Sequence, residues 1–254
     1  MALGFAAVPA GAAPPPQADY VALGDSYAAG QGAAPYTSGT CFVSRKGYPE
    51  IADNHRALVL TSNAACSGAT TLSVLTEQLS KVTANTKVVT VTVGGNDLDT
   101  TGLLATCFAD PSACETAALE KRAVILEALT NPTESELVQR LAAISFSIRA
   151  QAPTAKIVFT GYPMLFDSTF LDPRAVMVNN LTAGLNSVIA AIAPATGAHF
   201  VDVAPAFMGH GIGSSDPWIN YDVANIFDRA NFHPNGEGYR HGYYASLVGV
   251  LTTP

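Results

Sequence analysis

The chain reads as an α/β protein, a parallel sheet of five strands covered by helices on both faces. Two observations predict this. Short β-branched runs alternate with longer helical patterns along the sequence, and no shift in composition divides the 254 residues into separate domains. No internal repeat interrupts the alternation. The first seventeen residues stand apart from it, so the folded domain is expected over 18–254.

Taken in order, the strands are expected in DYVALGD ending at Asp25, RALVLTS at Ser62, KVVTVTVGG at Gly95, KIVFTGYP at Pro163 and AHFVDVAP at Pro205. Of the helices, NPTESELVQRLAAISFSIRAQAP has the strongest pattern. Leu137, Leu141, Ile144 and Ile148 repeat at helical spacing, Thr133 and Glu136 have the spacing of a capping box, and Pro153 ends the run. Helical patterns also follow Thr71, Arg174 and Asn235. The stretch from Met208 to Phe232 carries Gly, Ser, Asp and Asn with no convincing period, and reads as one extended loop holding the only tryptophan, Trp218. That indole either meets an acyl chain or anchors the loop.

Composition narrows the function. Apolar residues make up 48% and charged residues 13%, so a core of ordinary size forms and the polar work falls to few side chains. A formal net charge of −7 with no basic run argues against nucleic acid or anionic membrane surfaces as partners. No apolar run continues unbroken for about 20 residues, so no integral membrane segment is expected. Cys41, Cys66, Cys107 and Cys114 lack paired CxxC spacing, which favours disulfides over a zinc site. Four cysteines allow three connectivities. Cys107 and Cys114 lie close together among small residues, which favours a local loop there and leaves Cys41 to Cys66. The leader MALGFAAVPAGAAPPPQ resembles the end of a secretory signal peptide and a linker, without the usual basic start. Secretion and a monomer are expected.

The chemistry gathers at strand ends, since open parallel sheets bind ligands outside the carboxyl ends of their strands. The first strand ends in Gly24-Asp25-Ser26-Tyr27, the second leads to Cys66-Ser67-Gly68-Ala69-Thr70, and the third ends in Gly94-Gly95-Asn96-Asp97. His233 lies in Asn231-Phe232-His233-Pro234-Asn235-Gly236, just before the terminal helix. Acyl transfer needs a nucleophile, a base and donors for a developing oxyanion, and these loops hold a serine, a histidine, a glycine turn and an asparagine amide.

At these residues the chain resembles the GDSL-type lipases and esterases, or SGNH hydrolases, and in block spacing and cysteine positions the small secreted bacterial lipases and phospholipases among them. The blocks read VALGDSYAAGQG, ACSGATT, VTVGGNDL and FHPNGEG, and the resemblance runs from Asp19 to about Ala245. It implies a flavodoxin-like three-layer α/β/α sandwich with Ser26 as nucleophile and His233 as base. The oxyanion hole would be the Ser26 and Gly68 N–H groups with the Asn96 amide. One position departs from the family pattern: the aspartate expected three residues before the histidine is Ala230. Either a backbone carbonyl near Ala230 or Asn231 or the carboxylate of Asp228 must then orient the imidazole, and the carbonyl is preferred.

Competing readings fit less well. Around Ser26 the second glycine of G-x-S-x-G is replaced by Ala28, against an α/β-hydrolase elbow. Asp25, Asp97 and Asp228 are too scattered for a metal cluster, so neither metal nor cofactor is expected, and Asp25 and Asp97 are read as carboxylates that tie loops down. His55, His199, His210 and His241 sit in no motif, and the sequon Asn180-Leu181-Thr182 falls within a helix. The expected function is a secreted esterase or lipase acting on carboxylic esters. Leu98, Leu165, Phe166 and Trp218 lean towards acyl chains. Phospholipase, carbohydrate acetylesterase and acyltransferase are variants on the same site, and a catalytically silent glycan- or lipid-binding protein is the alternative class.

Overall fold

Five parallel strands form one sheet in the order β2-β1-β3-β4-β5: β1 (Ala18–Gly24), β2 (Leu58–Asn63), β3 (Val88–Thr92), β4 (Lys156–Thr160) and β5 (His199–Val201). The computed structural model describes residues 17–253, so the expected signal-peptide remnant and linker lie, Gln17 apart, outside the described residues. The central strands β1, β3 and β4 are buried on both faces, whereas the edge strands β2 and β5 are partly exposed. Val21, Leu23, Val89, Val91, Ile157 and Phe159 belong to one core, while Tyr20, Ala22, Val88, Val158 and Val201 belong to the other. The result is the α/β/α sandwich that the resemblance implied.

The helices are α1 (Ser26–Ala29), α2 (Tyr48–Asp53), α3 (Thr71–Ser73), α4 (Thr100–Ala109), α5 (Pro111–Thr130), α6 (Glu136–Gln151), α7 (Pro173–Ala195) and α8 (Ala245–Thr252). A π turn, Val74–Gln78, prolongs α3, and another, Gly238–Tyr244, leads into α8. Leu141, Ile144 and Ile148 of α6 pack with Leu185 and Ile189 of α7 on the first core, and Tyr239, Tyr243 and Leu247 pack with Tyr48 on the second. Each such fully buried side chain contributes about 1.5–3 kcal/mol. By length and a mean hydropathy of 1.4, α7 could cross a membrane, contrary to the expectation that no segment would. Its Val178, Leu181, Leu185, Val188 and Ile189 are nevertheless buried in the sandwich.

Three local expectations need correction. The α6 N-cap is Ser135, without a side-chain cap, because Asn131–Ser135 forms a turn in which the Asn131 carbonyl accepts from Glu134 N–H at 3.0 Å and Ser135 N–H at 3.2 Å. Thr133 is spent in that turn, and Glu136 instead pairs with Arg140 one helical turn on. The stretch around Cys107 and Cys114 is not a loop but two successive helices, α4 and α5. Asp110 caps the second, its carboxylate accepting from Ser112 N–H at 2.9 Å. The two disulfides form as expected, Cys41 with Cys66 and Cys107 with Cys114, the latter stapling the α4–α5 junction. The third correction concerns β5, which ends at Val201, after which Ala204–Phe207 is a 3₁₀ turn.

Strand order reverses direction between β1 and β3. Their register sets Gly24 opposite Thr92, so the loops after both strands open side by side at the sheet's carboxyl edge. A crevice at that switch point is where such sheets bind ligands.

Candidate active site

Gly24 ends β1 with φ +131°, and a Cβ there would lie 2.0 Å from the Thr92 carbonyl oxygen, so only glycine fits. The buried Gln78 amide grips this residue from both sides, accepting from Gly24 N–H at 2.7 Å and donating to its carbonyl at 2.9 Å. Asp25 follows as N-cap of α1, its carboxylate accepting from Tyr27 N–H at 2.9 Å. Ser26 is thereby the first residue of a short helix, 7% exposed, with its Oγ 2.8 Å from His233 Nε2.

His233 is aimed by a constrained backbone. Phe232, just before it, has φ +64°, a left-handed conformation that costs a non-glycine residue on the order of 1–3 kcal/mol and persists only when its surroundings hold it. They do: Phe232 N–H donates to the Asn220 carbonyl at 2.8 Å, and its own carbonyl accepts from the Tyr27 hydroxyl at 2.5 Å. The Asn220 amide donates to the carbonyls of His233 at 2.9 Å and Gly32 at 3.0 Å. Gly32 is required because a Cβ would stand 2.8 Å from the His233 Cβ.

His233 Nδ1 lies 2.8 Å from the Asn231 carbonyl oxygen. A carbonyl only accepts, so Nδ1 carries the proton and Nε2 presents its lone pair to the Ser26 hydroxyl. The Asp228 carboxylate turns elsewhere, accepting from Ala230 N–H at 2.8 Å. Burial pushes the imidazole down to about 4, offset in part by the bond to Asn231.

The loops of Gly68 and Asn96 hold one another. Asn96 Nδ2 donates to the Ala69 carbonyl at 3.0 Å, while Asp97 accepts from Thr71 N–H at 2.9 Å and from the Thr71 hydroxyl at 2.5 Å. The disulfide of Cys66 anchors the same loop, and Ser67 N–H donates to the Cys41 carbonyl at 3.2 Å. Gly68 has φ +80°, and nothing lies within 4 Å of where its Cβ would be, so backbone conformation rather than space selects glycine. Among the described residues, the Ser26 and Gly68 backbone N–H groups donate to no protein acceptor. Asp97 ties loops down as expected, and burial raises its carboxyl despite the Thr71 donors and Arg140. Burial likewise raises Asp25 to about 7, against the donors Tyr162 and Tyr27.

Ser26, Gly68, Asn96 and His233 all border one cleft of about 420 Å³. Leu98 and Leu165 line it as expected. Phe166 does not. It lies behind Phe232, the ring centroids 6.4 Å apart. Trp218 anchors its loop instead, stacked on His210 at 3.6 Å and edge-on to Phe207 at 5.8 Å. None of His55, His199, His210 and His241 lines the cleft. Sequence reasoning missed most of the apolar wall: Leu104 and Phe108 on α4, and Val178, Leu181 and Leu185 on α7. For α7 the signal was available, since those residues repeat at helical spacing. Tyr162 and Gln78 carry no motif and were also missed.

The chain is similar to known proteins in sequence and in fold. A lipase from Streptomyces rimosus is 34% identical over 253 residues, covering 96% of this chain and 91% of its own, and Lipase 1 of Streptomyces coelicolor is 33% identical with the same coverage. Among solved structures, the extracellular lipase of S. rimosus superposes with a TM-score of 0.82 at 33% identity, covering 93% of this chain and 100% of its own. Phospholipase A1 from Streptomyces albidoflavus NA297 gives 0.83 at 32% identity, over 92% of this chain and 99% of that one. The sequence pattern of the GDSL-like Lipase/Acylhydrolase family matches residues 22–241, and the chain belongs to that family.

Proposed function

We propose that this carboxylic ester hydrolase of the GDSL family cleaves lipid acyl esters outside the cell, through an acyl-enzyme on Ser26. One observation carries the reading: Ser26 Oγ lies 2.8 Å from His233 Nε2 in a cleft also lined by leucine, valine and phenylalanine. In the first half-reaction Oγ bonds to the ester carbonyl carbon as its proton passes to Nε2. Charge gathering on the carbonyl oxygen meets the N–H groups of Ser26 and Gly68 and the second Nδ2 hydrogen of Asn96. Collapse breaks the ester C–O bond, and the leaving alkoxide takes the proton from Nε2. Water then attacks the acyl-enzyme with the same base, releasing the carboxylic acid and restoring Ser26.

The Asn231 carbonyl takes the orienting part that an aspartate plays in a triad. It holds the tautomer but adds no full charge, so His233 and Ser26 work as a dyad. Support for a lipid substrate comes from the apolar wall and from the relatives named lipase and phospholipase A1. Two disulfides and an extracellular relative support secretion. Hydrolysis of nitrophenyl esters of increasing chain length tests the substrate reading. Turnover is expected to favour acyl groups longer than acetyl, and activity confined to acetyl would refute a lipid substrate.

A further inference from the structure

Two buried ionisable side chains at the site, Asp25 and Tyr162, take no part in the acyl-enzyme steps. They connect the two loops that those steps depend on. Asp25 accepts from Tyr27 N–H at 2.9 Å on one side of its carboxylate and from the Tyr162 hydroxyl at 2.5 Å on the other. The same Tyr162 oxygen accepts from Gly95 N–H at 3.2 Å. We infer that Tyr162 is a positioning residue that fixes the Asn96 amide relative to Ser26, through the hydrogen-bond chain Tyr27 N–H, Asp25 carboxylate, Tyr162 hydroxyl and Gly95 N–H.

The ends of this chain are its point. Asp25 and Tyr27 flank the nucleophile, so their bond sets the direction of the Ser26 N–H. Gly95 directly precedes Asn96 and follows Gly94, whose φ of +125° belongs to the freedom of glycine. Two successive glycines leave the Asn96 loop with little stiffness of its own, and the phenol supplies a fixed point. A phenol hydroxyl donates one hydrogen bond while accepting another, which lets one side chain join an acceptor to an N–H. Tyr162 is itself clamped: the Asn186 amide on α7 accepts from its N–H at 2.8 Å and donates to its carbonyl at 2.8 Å. Its ring packs edge-on against Tyr27, the centroids 5.1 Å apart. The strands beneath are joined independently, Gly24 opposite Thr92, so loss of the hydroxyl should disturb the loops and leave the sheet in place.

This inference rests on the acyl-enzyme reading and is tested separately from it. Tyr162→Phe keeps the ring and removes only the hydroxyl. With a soluble short-chain ester, kcat is expected to fall by about 10- to 100-fold, less than the 10²–10³ lost when an oxyanion donor is deleted outright. KM should stay within about twofold of wild type, and affinity for an alkyl boronic acid, whose adduct with Ser26 mimics the tetrahedral oxyanion, should weaken by the same factor as kcat. A residue of purely structural importance would not produce that parallel. Asp25→Asn, measured alongside, breaks the chain at its other link and should lower kcat and boronate affinity together, even if Tyr162→Phe proves unstable. Unchanged kcat in a folded variant, or a fall in kcat with boronate affinity intact, would overturn the inference. Failure of the wild type to react with a fluorophosphonate at Ser26 would instead overturn the acyl-enzyme reading beneath it.

Discussion

A histidine acts as a base only while Nε2 is unprotonated, and burial has lowered His233 to about 4. The protein should therefore keep its base available well into acid, with the acid limb of kcat/KM falling below the ordinary imidazole value of about 6.5. A pH–rate profile checks this, and a limb at or above 6.5 would contradict it. The same shift acts on stability. Between about pH 6.5 and pH 4 the unfolded chain binds a proton at this residue that the folded chain does not, so folding weakens as pH falls through that window. Asp25 works in the opposite sense. Its carboxyl, raised to about 7, keeps a proton between its ordinary value of 3.8 and about 7 that the unfolded chain has lost, so its contribution weakens folding as pH rises. Asp25→Asn, which cannot ionise, should gain thermal stability relative to wild type as pH increases from about 4 to about 7. A constant difference across that range would contradict the assignment. At Asp228, whose carboxylate faces Ala230 N–H, replacement by alanine should leave kcat/KM within about threefold; a loss approaching the 10⁴ of a missing triad aspartate would make it the orienting group.

Among the elements, the two disulfides hold different parts of the site. Cys41–Cys66 spans 25 residues and anchors the loop that bears Gly68, whereas Cys107–Cys114 spans 7 and staples the helix bearing Leu104 and Phe108. Chain-entropy arguments give about 3.5 and about 2.5 kcal/mol of stabilisation respectively. Serine at both Cys41 and Cys66 should lower kcat as well as the melting temperature, because the loop proposed to supply the Gly68 oxyanion donor loses its tether. Serine at both Cys107 and Cys114 should chiefly raise KM for long acyl esters while sparing acetyl. Equal effects of the two pairs on all substrates would show that the links act on stability alone. Helix α5 illustrates what periodicity misses. Its Ala-rich sequence has high helix propensity, but Leu119, Leu126 and Leu129 are exposed while Ala118, Ile125 and Ala128 are buried, so no single apolar stripe marks it.

Over the whole molecule, the sheet and the four residues that meet at the cleft were legible because both rest on local signals. Strands β1, β3 and β4 are short apolar runs between turn residues, and Ser26, Gly68, Asn96 and His233 sit in loops of recognisable composition at or beyond strand ends. What stayed hidden depends on contacts distant in sequence. Tyr162 meets Asp25 across 137 residues, Gln78 meets Gly24 across 54, and neither pairing leaves a spacing to read. The Asn231 carbonyl at Nδ1, by contrast, is a contact across two residues, and Ala230 in place of the aspartate pointed to it. The central claim is that this arrangement activates Ser26. Its most direct test is fluorophosphonate labelling with peptide mapping, run on wild type, Ser26→Ala and His233→Ala. Labelling of wild type at Ser26, lost in both variants, is the expected result; a folded wild type that does not label, or labels equally without His233, would contradict it.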